Sequence, residues 1–148
     1  MVVDHQARSR VDHTDDGTAT LEMIIVLPLL LSLLFGIAEF SVMFSRWQAV
    51  TNAAREGART AIVFRAPCDE ETVMDEVRAR VRSYIAPLGI TVTDAQIVIE
   101  GVCGTPETNT RVQVTVPYQF QVLSKLMPSL SPTINTVGDS VMRNEGTG

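Results

Sequence analysis

Gly17-Thr18-Ala19-Thr20-Leu21-Glu22-Met23-Ile24-Ile25-Val26-Leu27-Pro28-Leu29-Leu30-Leu31-Ser32-Leu33-Leu34-Phe35-Gly36-Ile37-Ala38-Glu39-Phe40 is the stretch that decides the fold. No residue from Met23 to Ala38 carries a charge. Extended past Glu39 to Phe44, the run reaches about the 20 apolar residues that a helix needs to cross a bilayer. No other segment of the 148 residues has this character. A secretory signal peptide would have a shorter apolar core and a cut behind it, so that reading fails. With the transmembrane part at about residues 21–44, a polar segment precedes the span and a small domain of roughly a hundred residues follows it.

The composition, 45% hydrophobic with a formal net charge of −5, suits one membrane helix plus one such domain. There is no basic excess, so no nucleic-acid partner is expected. Residues 1–17 are polar and mixed in sign, with Arg8 and Arg10 against Asp4, Asp12, Asp15 and Asp16. Without an apolar period they cannot bury enough surface to order themselves, and they read as a cytoplasmic leader or tail. His5 and His13 lie there too, at no metal-ligand spacing, so no metal is expected. Arg46, Arg55, Arg59 and Arg65 behind the span outnumber Arg8 and Arg10 ahead of it, which argues for the N-terminus outside. Two other considerations place the N-terminus inside: access of a membrane protease to Gly17, and the oxidising side that downstream cysteines favour.

Beyond the span the helix continues. Met43, Trp47, Val50, Ala54, Ala58 and Ala61 recur at three- and four-residue steps, with Gln48, Asn52, Arg55, Glu56 and Arg59 on the other side and Pro67 as the stop. A helix over 18–66 would be about 70 Å long. Its outer half must therefore lie against something: the small residues Ala53, Ala54, Gly57, Ala58 and Ala61 would let another backbone approach closely, or they pack on the protein's own sheet. Pro28 and Gly36 are the points where the rod can bend or locally unwind, since Pro28 frees the carbonyl of Ile24.

The rest, 67–148, reads as a small α/β head. Asp69, Glu70, Glu71 and Asp75 put acid on the first turn of a second helix whose apolar stripe is Val73, Val77, Val81 and Ile85, stopped by Pro87. Arg78, Arg80 and Arg82 spread around that helix as a solvated face rather than an anion site. Ile97–Val102 is a dense apolar strand. Val112, Val114, Val116, Tyr118 and Phe120 then alternate with Arg111, Gln113, Thr115, Pro117 and Gln119, which is a hairpin pattern. Pro117 belongs at an edge or a bulge. Thr133–Arg143 is a third strand, and 144–148 a disordered end. The fold class is thus α+β: a long N-terminal transmembrane helix running into a head with one further helix and a roughly three-stranded antiparallel sheet. Cys68 and Cys103 are expected to form a disulfide closing about 36 residues, worth roughly 3–4 kcal/mol in the chain-entropy model, with two free thiols as the alternative.

Nothing in this inventory suggests an enzyme. The head has no histidine, no phosphate-binding glycine loop and no carboxylate pair forced together, so no catalytic residue, cofactor or small-molecule substrate is expected.

The front edge of the span has the spacing of a type IV prepilin cleavage site, a glycine with a glutamate five residues later and an apolar run directly behind. Cleavage between Gly17 and Thr18 would leave a free amine one helical turn from Glu22, and in a bundle the amine of one subunit can pair with the Glu22 of its neighbour. Leu21-Glu22, Leu27-Pro28-Leu29-Leu30-Leu31, Phe35-Gly36-Ile37-Ala38-Glu39-Phe40 and above all Thr51-Asn52-Ala53-Ala54-Arg55-Glu56-Gly57-Ala58-Arg59 resemble the TadE-like proteins, pseudopilins of the tight-adherence (Tad/Flp) pilus system. The resemblance covers Gly17 to about Val63, and more weakly Val112–Phe120 and the tail near Met142-Arg143. Asp15 and Asp16 stand where prepilin leaders usually carry basic residues. The resemblance implies a leader-cut minor pilin acting in pilus assembly, adhesion or secretion, held in the inner membrane with its head outside. Its implied partners are a prepilin peptidase, other pilin and pseudopilin subunits and an inner-membrane assembly platform. Glu22, Glu39 and Pro28 would serve assembly, and Asn52, Arg55, Glu56, Gly57 and Arg59 would form the family motif. An uncut single-pass anchor whose head binds other envelope components is the alternative.

Overall fold

The structure, a computed structural model, describes residues 14–63, 65–126 and 133–145. Among the described residues three α-helices and three strands follow in the order α1 (Thr14–Ala61), α2 (Glu70–Ile85), β1 (Ile97–Glu100), β2 (Asn109–Gln119), α3 (Gln121–Leu126) and β3 (Thr133–Arg143). The α+β class with one long apolar helix and a three-stranded antiparallel sheet is thereby observed. Contacts divide the chain into two units, Met1–Ile37 and Ala38–Gly148.

The first unit is the apolar part of α1. Its side chains from Leu21 to Ile37 are exposed, as far as 72% for Ile25 and 70% for Leu29. Such a surface is what hydrocarbon, not water, solvates. Among the described residues this is the one helix long and apolar enough to cross a membrane. The helix runs through Pro28 and Gly36 unbroken, and Ser32 turns its hydroxyl back onto the Leu29 carbonyl at 2.8 Å. The first thirteen residues of the expected leader lie outside the described residues.

In the second unit, the head, the strands order β1-β2-β3 with both pairs antiparallel. Val114 of β2 sits opposite Ile97 of β1 and Gly138 of β3. The inward row Thr110, Val112, Val114, Val116 and Tyr118 is buried, while Arg111, Pro117 and Gln119 on the other face are exposed. On the inward face the core joins Val73, Val77, Val81 and Ile85 of α2 to Val50, Ala53, Ala54, Ala58 and Ala61 of α1. Full burial of each valine is worth roughly 1.5–3 kcal/mol, and the stripe read from the sequence is the one buried. β1 begins at Ile97 opposite Val114 and runs back toward Arg111, so Pro117 lies in the stretch of β2 that, among the described residues, pairs with β3 alone, where a missing donor costs least.

Several boundaries depart from expectation for physical reasons. α1 ends at Ala61, not Ala66, because the Ile62 carbonyl is taken by the Glu145 amide (3.1 Å). At the other end α1 starts at Thr14 and includes Gly17. β1 stops at Glu100 because Gly101 turns with φ +76°, and a Cβ there would stand 2.3 Å from the Asn109 carbonyl oxygen. Asn144, expected in a disordered end, is buried: its amide reaches the Thr108 carbonyl (3.1 Å), and its side-chain NH2 donates to the Gly101 carbonyl (3.1 Å) and the Thr108 hydroxyl (2.9 Å). The arginines of α2 do not face water alone, for Arg80 pairs with Glu56, Arg82 with Asp94, and Arg78 with Asp75 (2.9 Å).

Candidate functional site

The candidate residues sit along α1, and their neighbours sort them. Gly17, Thr18, Glu22, Pro28 and Gly36 lie on the exposed apolar unit. Glu22 forms no ion pair among the described residues. A carboxylate on an apolar rod is costly in a bilayer unless it is paired or reaches the headgroup region.

Glu39 belongs to the head, 8% exposed, and its carboxylate accepts the amide hydrogen of Val122 at 3.0 Å. This contact fastens α3, a helix the sequence reading did not include, beside the start of the head. Arg46 lies over the Tyr118 ring, 5.4 Å from its centroid. Burial raises the Tyr118 pKa, Glu39 raises it further, and Arg46 opposes both.

The small residues Ala53, Ala54, Gly57 and Ala58 meet the protein's own helix and sheet. A Cβ at Gly57 would stand 2.8 Å from Val81 Cγ2 and 3.3 Å from Val112 Cγ1 and Val77 Cγ1, so a glycine is what lets α1 pack between α2 and β2. Glu56, half-buried, accepts from Arg80 Nε at 3.0 Å. Gly138 on β3 makes a closer approach that sequence reasoning missed: a Cβ there would lie 2.5 Å from the Val50 carbonyl oxygen. A lone glycine inside an alternating strand was its available signal. Asn52, Arg55 and Arg59, three and four residues apart, stay exposed on one face of α1.

Cys68 and Cys103 are bonded, with Cα atoms 5.8 Å apart, and tie the segment after α1 to the turn after β1. Among the described residues no three His, Cys, Asp or Glu side chains come together as metal ligands.

Residues 17–59 match the family model for TadE-like protein. The match opens on Gly17, covers less than a third of the chain and ends at Arg59, two residues before α1 does. Neither the curated proteins nor the solved structures contain a match to the chain. Within the TadE-like segment the head uses Gly57 for close packing and Glu56 for an ion pair, and leaves Asn52, Arg55 and Arg59 outward. The motif therefore divides into a part that builds this fold and a part free to meet something else.

Proposed function

We propose that the chain is a pilin-like component of a tight-adherence pilus system, cut after Gly17 and working in assembly through its helix rather than as an enzyme. The carrying observation is the TadE-like match that begins on the glycine of the expected cut and runs along an exposed apolar helix. Cutting leaves the amine of Thr18 one turn from Glu22. When such helices bundle, the amine of an incoming subunit meets the Glu22 of its neighbour, and the outward Asn52, Arg55 and Arg59 offer polar contacts just beyond the span. The gross attraction at about 4 Å is roughly 4 kcal/mol at an effective dielectric near 20, most of it offset by desolvation, so the pair sets register more than strength.

The test is Glu22→Ala expressed at wild-type membrane level, scored by pilus formation and co-purification of other pilin subunits. Insertion into the membrane should be unharmed and assembly impaired, because an unpaired amine in the bundle costs each incoming subunit about 1–3 kcal/mol. Normal assembly would overturn the pairing and favour the uncut anchor whose head binds other envelope components.

A further inference from the structure

Among the described residues Arg46, Arg55, Arg59, Lys125 and Arg143 form no ion pair, whereas Arg65, Arg78, Arg80, Arg82 and Arg111 all do. Arg143 is engaged by the Pro106 carbonyl at 2.5 Å. Two of the others share a place: Arg46 and Lys125, the only lysine in the chain, line an open hollow of about 410 Å³ together with Ser124, Phe120 and Pro117. Among the described residues no carboxylate lines it. On α1, Phe40, Phe44 and Trp47 follow one another at ring separations of 6.4 and 5.6 Å and are all exposed. An apolar hollow of about 390 Å³ lies between Phe44, Trp47, Ile134 and Val137. Val122, held by Glu39, adds another exposed apolar side chain.

Phe40, Phe44, Arg46 and Trp47 lie on the first turns of the head along α1, whereas Val122, Ser124 and Lys125 belong to α3 and Ile134 and Val137 to β3. Aromatic rings beside apolar surface, with long cations among them, match the acyl boundary and the charged headgroup layer of a bilayer. We infer that this face of the head docks on a bilayer surface, with the Arg46–Lys125 hollow taking the phosphate of an anionic lipid headgroup and the exposed Phe40, Phe44, Trp47, Val122 and Ile134 side chains resting in the acyl boundary. The inference relies on α1 being a membrane span. Charge complementarity and the apolar run that directly precedes Phe40 in the sequence favour lipid over a second protein here.

Trp47 is the only tryptophan and so reports on this face directly. The full chain is reconstituted in phosphatidylcholine vesicles containing a small fraction of brominated lipid, either phosphatidylcholine or phosphatidylglycerol, with bromine near the headgroup end of the acyl chain. Trp47 emission should be quenched by both and more by phosphatidylglycerol, whose local enrichment should be about fivefold per cation. Arg46→Gln and Lys125→Gln should each reduce that preference. Because Lys125 is exposed, its variant keeps the test valid even if Arg46→Gln disturbs Tyr118. Equal quenching by the two lipids overturns the headgroup site. No quenching of a carbonate-resistant protein, whether a neighbouring subunit or water covers Trp47, overturns the docking while leaving the span intact. Release of the protein by alkaline carbonate instead defeats the span itself.

Discussion

Gly138→Ala puts one methyl group between two backbones. The new Cβ would stand 2.5 Å from the Val50 carbonyl oxygen, 2.6 Å from its carbonyl carbon and 2.8 Å from Thr51 Cα, where ordinary contact begins at 3.4 Å. None of these atoms can rotate away, so β3 must lift off α1 and take with it the packing of Val50 and Ala54. Overpacking of this kind costs about 1–3 kcal/mol, and backbone on both sides argues for the upper end. For a head of this size the loss corresponds to a fall in melting temperature on the order of 10–20 °C. Gly57→Ala is the informative companion. Its Cβ meets only valine methyls, the nearest at 2.8 Å, and the helix gains up to about 1 kcal/mol of propensity in return, so it should cost a few degrees at most. Gly36→Ala meets nothing within 4 Å and should leave the head unchanged. The three variants are compared as detergent-solubilised full chains, melted by circular dichroism and Trp47 emission. A Gly138→Ala protein melting within about 2 °C of wild type, or above Gly57→Ala, would refute the close crossing of strand and helix.

Glu39→Ala removes the acceptor of the Val122 amide and should destabilise the α3 junction by about 1–3 kcal/mol, seen as faster hydrogen exchange at Val122, with Glu39→Gln milder; unchanged exchange would contradict the anchoring role. Arg111 holds Asp139 by paired contacts, Nε to Oδ1 at 3.1 Å and Nη2 to Oδ2 at 2.7 Å, and this hydrogen bonding keeps the carboxyl below its ordinary range. A depressed folded-state pKa gives stability that is present above the unfolded value of about 3.9 and lost as pH falls through the folded one. Asp139→Asn should therefore melt lower than wild type at neutral pH, by an amount that salt reduces, and the gap should close on acidification below about pH 4; a gap constant from pH 7 to 3 would refute it.

Periodic features were legible in the sequence. The Val73, Val77, Val81, Ile85 stripe and the alternation of β2 came out as read, because each is dictated by which face meets the core. The apolar run and the glycine-to-glutamate spacing were equally local. What escaped were contacts between distant residues. Nothing near Asn144 says that Gly101 and Thr108 will hold it, and nothing near Glu39 names Val122, 83 positions away, as its donor. The small-residue stripe of α1 was recognised, but its partner was not, because an alanine face suits a neighbouring subunit as well as the chain's own sheet; Gly57 against Val81 and Val112 decides for the latter. The exposed face of Asn52, Arg55 and Arg59 is the remainder that the fold does not explain.

The claim that this is a leader-cut pilin-like subunit is tested most directly by the intact mass of the full chain co-expressed with a prepilin peptidase and extracted from membranes. A species beginning at Thr18 is the expected result. A species that still carries Gly17 and the residues before it, in cells where a control prepilin is fully processed, would contradict the account.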